Sequence, residues 1–200
     1  MYKRQILNCA VSGVASSSAV VGISNSSVVG NLSISNNIIQ GNTSSATTGG
    51  FTGVINTGAN ANSTTLINNQ IGNGLGNAIT FSAATSGAVI GVSNSGASAN
   101  NIVTISGNNI QGIVHTVGGP SAHTYFSQTA VVNNASITNN TFTNLLVNTT
   151  GTTQFINQGY SIPTVGQLVI SDNSIVTGYS RIGATGSVVV TTTNSISGTG

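Results

Sequence analysis

The feature that most constrains this chain is a six-residue block that recurs along it. The reference copy is Ile105-Ser106-Gly107-Asn108-Asn109-Ile110, and the pattern reads apolar, Ser or Thr, small polar, Asn, any residue, apolar. It returns from Ile34 to Ile39, Leu66 to Ile71, Ile137 to Phe142 and Ile170 to Ile175, with a weaker copy from Thr191 to Ile196. The starts lie 32, 39, 32, 33 and 21 residues apart.

The two apolar ends of a block are five positions apart, so in one straight strand they would face opposite ways. For both to reach one core, the chain must bend between them. The Asn three residues after the start is expected to make that bend, since Asn tolerates the left-handed conformation. Those residues are Asn37, Asn69, Asn108, Asn140, Asn173 and Asn194. A second bend is expected two residues beyond the block, at Gly41, Asn73, Gly112, Asn144 and Gly198, with Gly178 one position late. Each copy therefore reads as strand, corner, short strand, corner. Val54 to Asn56, Gly91 to Asn94, Tyr125 to Gln128 and Phe155 to Gln158 recur between the copies and supply a third side.

A two-strand corner cannot bury its apolar face alone, but copies at a steady period can stack on one another, which is the logic of a solenoid. Stacked turns lie about 4.8 Å apart, so about six turns would make a column roughly 30 Å long. The recurring Asn side chains would then form an internal ladder. The block resembles the corner of the right-handed parallel β-helix, the pectate-lyase-like fold with stacked Asn. It is similar, more narrowly, to the Asn-, Ser-, Thr- and Gly-rich β-helix repeats of bacterial secreted and surface proteins. The resemblance implies an all-β solenoid in which each turn's partners are its neighbouring turns. It also implies export to the cell surface, with sorting or anchoring carried elsewhere.

The first five residues, Met1-Tyr2-Lys3-Arg4-Gln5, do not match the repeat and look like a translated sequencing-adapter scar. The expected organisation is thus a scar at 1–5 and one β-helix domain at 6–200, a piece of a longer protein without its end caps. Ile6 to Val11 reads as a degenerate block with Cys9 in the Asn slot. Without the scar the charges reduce to Arg181 and Asp172, so the pI near 9.0 points to no partner. Nucleic-acid binding needs a basic patch, and the sequence offers none. No apolar run reaches the 18 residues of a membrane-spanning helix. Low charge with abundant Asn, Ser and Gly also suits a disordered tract, but regular β-branched core positions argue for a packed solenoid.

Polysaccharide hydrolysis takes two carboxylates, and calcium-assisted elimination takes several oxygen ligands. The chain has one carboxylate, Asp172, in a slot filled elsewhere by Asn36, Asn68, Gly107 and Asn139, and so reads as a turn residue. Arg181 is expected to pair with it at the surface. His115 and His123 flank a Gly-Gly-Pro loop, but a metal centre would need a further ligand nearby. No catalytic, cofactor-binding or metal site is expected. Tyr125, Tyr160 and Tyr179 sit beside Gly, Pro or polar residues and are expected to face solvent, where they would offer sugar contacts.

The leading expectation is a non-catalytic structural or adhesive segment of a secreted bacterial surface protein, meeting polysaccharide or other cell-surface material. The alternative is a carbohydrate-binding or polysaccharide-processing β-helix whose catalytic turns lie outside the segment. Ice binding by Thr rows is a third reading, carried by Thr141/Thr143 and Thr191/Thr193.

Overall fold

A computed structural model describes residues 2–163, 165–183, 185–194 and 196–197 of the chain. The described residues form four parallel six-stranded sheets coiled as a right-handed β-helix of about five turns. Sheet I holds the first half of each block: Lys3–Leu7, Asn31–Ser35, Ser63–Ile67, Ile102–Ser106, Asn134–Thr138 and Gln167–Ser171. Sheet II holds the short second half: Ala10–Ser12, Ile38–Gln40, Gln70–Ile71, Asn109–Gln111, Thr141–Thr143 and Ser174–Thr177. Sheet III runs through Ala15–Ser16, Asn42–Ser44, Ile79–Phe81, Ile113–His115, Leu146–Val147 and Ser180–Arg181. Sheet IV runs through Val20–Asn25, Phe51–Asn56, Val89–Asn94, His123–Gln128, Thr153–Gln158 and Val188–Thr193.

The blocks lie directly over one another. Ile34, Leu66, Ile105, Ile137 and Ile170 are consecutive register partners in sheet I, and Ile39, Ile71, Ile110, Phe142 and Ile175 in sheet II. In the inner turns both apolar ends are buried in one core. Each turn has four sides rather than three. The strands expected as a third side are the fourth, and sheet III, whose strands are only two or three residues long, precedes them. Strands that short leave no visible alternation in the sequence.

The bends also fall differently from expectation. The left-handed residue of the first corner precedes the recurring Asn: Asn36, Asn68, Gly107, Asn139 and Asp172 have φ of 56°, 54°, 65°, 56° and 55°. Gly107 is needed in its copy because a Cβ there would lie 2.3 Å from Asn68 Oδ1. At the second corner Gly41, Gly112, Asn144 and Gly178 are left-handed, whereas in the third turn Gly72 takes that role instead of Asn73. Gly178 comes late because the sixth strand of sheet II carries a bulge, its register slipping between Phe142 and Thr143. The 39-residue interval contains an inserted turn in which Asn73 bridges Gly76. Gly198 lies outside the described residues.

The weak copy is not a sixth block of this corner. Thr191 pairs with Ile156 in sheet IV, because a 21-residue advance carries the chain only part of the way round a turn. At the other end, Ile6 is in register with Ile34, and Lys3, Arg4 and Gln5 with Asn31, Leu32 and Ser33.

The core changes character along the axis. In three successive turns sheet IV carries Gly22, Gly53 and Gly91, and a Cβ on Gly53 would lie 2.8 Å from Ile71 Cδ1. Glycine here makes room for the isoleucine of sheet II. In the next two turns Tyr125 and Phe155 follow in that strand position, and Phe126, Phe142 and Phe155 pack edge to face at 4.8–5.3 Å.

A β-branched residue in the left-handed region costs about 1–2 kcal/mol, whereas glycine adopts it freely. Asn139→Val should therefore lower the unfolding free energy by about that amount, and Asn139→Gly by clearly less, in urea titrations of the purified chain. Equal losses would show that position 139 does not need the left-handed corner.

Candidate functional site

The recurring Asn residues face inward at the first corner and form a hydrogen-bonded column. In Asn37, Asn69, Asn108 and Asn140, both the backbone N–H and the side-chain Nδ2 donate to Oδ1 of the Asn one turn further on, at 2.8–3.2 Å. The second Nδ2 hydrogen reaches back to the turn before. Asn69 donates to Ile34 O, Asn108 to Leu66 O, Asn140 to Ile105 O and Asn173 to Ile137 O, at 2.8–3.1 Å. An amide has two donors and two acceptor positions, so Asn69, Asn108 and Asn140 are saturated, each tying three successive turns together. Cys9 occupies the Asn position of the first turn: its backbone N–H donates to Asn37 Oδ1 at 2.9 Å, and its thiol is free and exposed.

Asn194 does not belong to this column. Its backbone N–H donates to Gln158 Oε1 at 2.8 Å, on a second column at the end of sheet IV. There Asn25 donates to Asn56, Asn56 to Asn94 and Asn94 to Gln128, each at 2.7 Å through the side-chain amides. Asn25, Asn56, Asn94, Gln128 and Gln158 are all buried. The signal for this column was present in the sequence, because each of these residues closes a six-residue strand with an amide. It was hidden by the change from Asn to Gln.

The three tyrosines do not form a solvent-facing platform. Tyr125 is fully buried, Tyr160 is buried and Tyr179 is half-buried. Tyr125 packs against Phe155 at 5.2 Å, and Phe155 against Tyr179 at 5.1 Å. Their strand positions face the core, which a flanking Gly or polar residue does not change. Burial raises the phenol pKa values of Tyr125 and Tyr160. The surface pair between Asp172 and Arg181 does not form. Asp172 Oδ2 accepts from Ser171 Oγ at 2.9 Å. The Arg181 guanidinium turns inward and donates to the carbonyls of Thr149, Gly151 and Gly186.

One cluster of titratable side chains sits inside the coil. His115 closes a strand of sheet III and His123 opens the next strand of sheet IV. Their Nε2 atoms lie 3.1 Å apart, with Ser121 Oγ 3.3 Å and Tyr125 Oη 3.4 Å from the His123 ring. The His115 ring stacks on Phe81 at 4.6 Å. A single proton bridges the two Nε2 atoms, so both rings are neutral. Burial lowers the His115 pKa to about 4. Burial, then His115, then Arg181 lower that of His123 to about 3. Among the described residues no three His, Cys, Asp or Glu side chains converge as metal ligands, and structural zinc sites use four.

The outer face of sheet I is the other candidate surface. Ser33, Thr65, Thr104 and Ser136 are register partners in successive turns and are half-exposed. Shallow troughs of about 400 Å³ and 150 Å³ run along this face. The chain matches no family model, no curated protein and no solved structure. Among the described residues there is no helix long and apolar enough to cross a membrane.

Replacing Asn108 removes partners from Asn69, Leu66 and Asn140 at once. Each buried group left unpaired costs about 1–3 kcal/mol. Asn108→Ala should lose roughly 2–4 kcal/mol, and Asn108→Asp more, since it buries a charge beside Asn140 Oδ1. Thr124→Ala, on the outer face of sheet IV, is the control. A melting shift no larger than the control's would refute the column's importance.

The histidines set the acid response. Their folded pKa values lie below 6.5, so the unfolded chain binds more protons between about pH 3 and 6.5. Stability should be level above pH 6.5 and fall as pH drops through that window, by up to about 1.4 kcal/mol per pH unit for each histidine. Combining His115→Phe with His123→Val, residue types found in the same positions of neighbouring turns, should flatten the fall in melts recorded from neutral to acid pH.

Proposed function

We propose that this chain is a non-catalytic structural and adhesive segment of a secreted bacterial surface protein. The observation that supports this reading most directly is the internal wiring. Saturated Asn amides each hold three turns together, and a second column does similar work on the opposite side of the coil. Such a coil resists bending and local opening, because each turn's release strands buried donors in its neighbours. A stiff, near-neutral coil suits a shaft or spacer that must hold its shape outside the cell. The similarity of the repeat to bacterial surface β-helices adds the expectation of export.

Carbohydrate binding, with any processing turns elsewhere in the parent protein, is the second reading. The troughs on the outer face of sheet I favour it.

Antibodies raised against this segment should label intact cells of the source organism, and protease added outside the cells should remove the label. Labelling only after permeabilisation would overturn the surface assignment.

A further inference from the structure

We infer that the outer face of sheet I is a binding strip for an extended neutral polysaccharide, lying along the coil axis with its rings in step with the turns. This deepens the adhesive reading and rests on it.

The first support is an ordered row of free hydroxyls. Ser33, Thr65, Thr104 and Ser136 stand one above another on four successive turns, at about 4.8 Å spacing. In the neighbouring row the hydroxyls satisfy one another, Ser106 with Thr138 at 3.0 Å. Ser33 Oγ likewise lies 3.4 Å from Ser35 Oγ. Thr65, Thr104 and Ser136 make no side-chain hydrogen bond to any described residue, so their donors and acceptors are open to a ligand. The strand backbone fixes their positions in advance, which reduces the ordering cost of binding.

The second support is shape. One trough is lined by Asn31, Ser33, Ser63 and Thr65, and the other by Thr104, Asn134, Ser136 and Gln167. Both follow the same row and add amide groups beside it.

The third is electrostatic and periodic match. From the second turn onward this face carries no ionisable side chain except Asp172 at its last corner. It therefore offers nothing to a polyanion or a polycation. A neutral polymer rich in hydroxyls matches it group for group. An extended β-linked pyranose chain advances by nearly one strand spacing per ring, so each turn meets an equivalent ring. Weak contacts repeated over several turns then add as linked sites do.

The test is co-sedimentation of the purified chain with insoluble cellulose, chitin and curdlan. Retention should be insensitive to salt, because no charge pair is involved. Thr104→Lys and Ser136→Lys should each weaken retention at least about tenfold, the scale of one or two hydrogen bonds lost. Thr124→Lys on sheet IV should leave it unchanged. All three positions are half-exposed, and an unchanged thermal midpoint shows that a variant is folded; whichever sheet I variant folds carries the test. No retention on any of the three polymers overturns the inference. So does equal loss in Thr124→Lys, salt-sensitive retention, or thermal hysteresis in freezing assays without glycan retention. Surface labelling of cells tests the adhesive reading separately, so a segment that reaches the surface but ignores glycans would cost only the assignment of this face.

Discussion

The stacked side-chain amide is the interaction on which the rest of this structure depends. An amide carries two donors and two acceptor positions, and in a parallel coil the turns above and below present the complementary set at a fixed distance. Asn108 shows the result: it accepts from Asn69 and donates both to Asn140 and back to Leu66. The column therefore fixes register as well as stability. Slipping one turn by a single residue would move an amide out of line and exchange inner for outer side chains along the strand. A coil with so few ionisable groups has little else to select one register over another.

The corner geometry derives from the same requirement. For the ladder Asn to point inward directly after a strand, the residue before it must reverse the backbone, and this is where the left-handed Asn36, Asn68, Gly107, Asn139 and Asp172 stand. The task is divided between adjacent positions, one giving the backbone turn and the other the buried amide. At the end of sheet IV the strands enter a longer loop instead. The amides there also bond loop carbonyls, as Asn25 does with Ser27 O and Gln128 with Ala130 O. Both Asn and Gln are found in that column.

Polar chemistry inside the coil is concentrated around His115 and His123. An apolar and aromatic wall, a shared proton and the nearby guanidinium of Arg181 all favour neutral imidazoles. In an ordinary domain many carboxylates share the response to acid. Here the chain has one carboxylate side chain, so the histidine pair dominates that response.

Much of this was legible in the chain itself. The 32- to 39-residue recurrence and the paired apolar ends led to stacked turns, and the slot shared by Asp172 with Asn36, Asn68, Gly107 and Asn139 marked a turn residue. Legibility ended where a residue's meaning depends on its angular place around the coil. Asn194 carries the letter of the ladder but sits a fraction of a turn away. Tyr125, Tyr160 and Tyr179 have polar neighbours in sequence and core neighbours in space. The Gln128 and Gln158 positions hid the second column because the eye follows residue type, whereas the hydrogen bond follows the position of the amide.

The sequence by itself determined the repeat and the pairing of apolar ends, and with them a solenoid of parallel strands, because period and binary pattern act locally along the chain. Only the tertiary structure decided that each turn has four sides, that two amide columns run through it, and that His115 meets His123. Those outcomes depend on where a side chain lands after a full circuit of the coil. Loop lengths between short strands set that landing point, and no local preference encodes it.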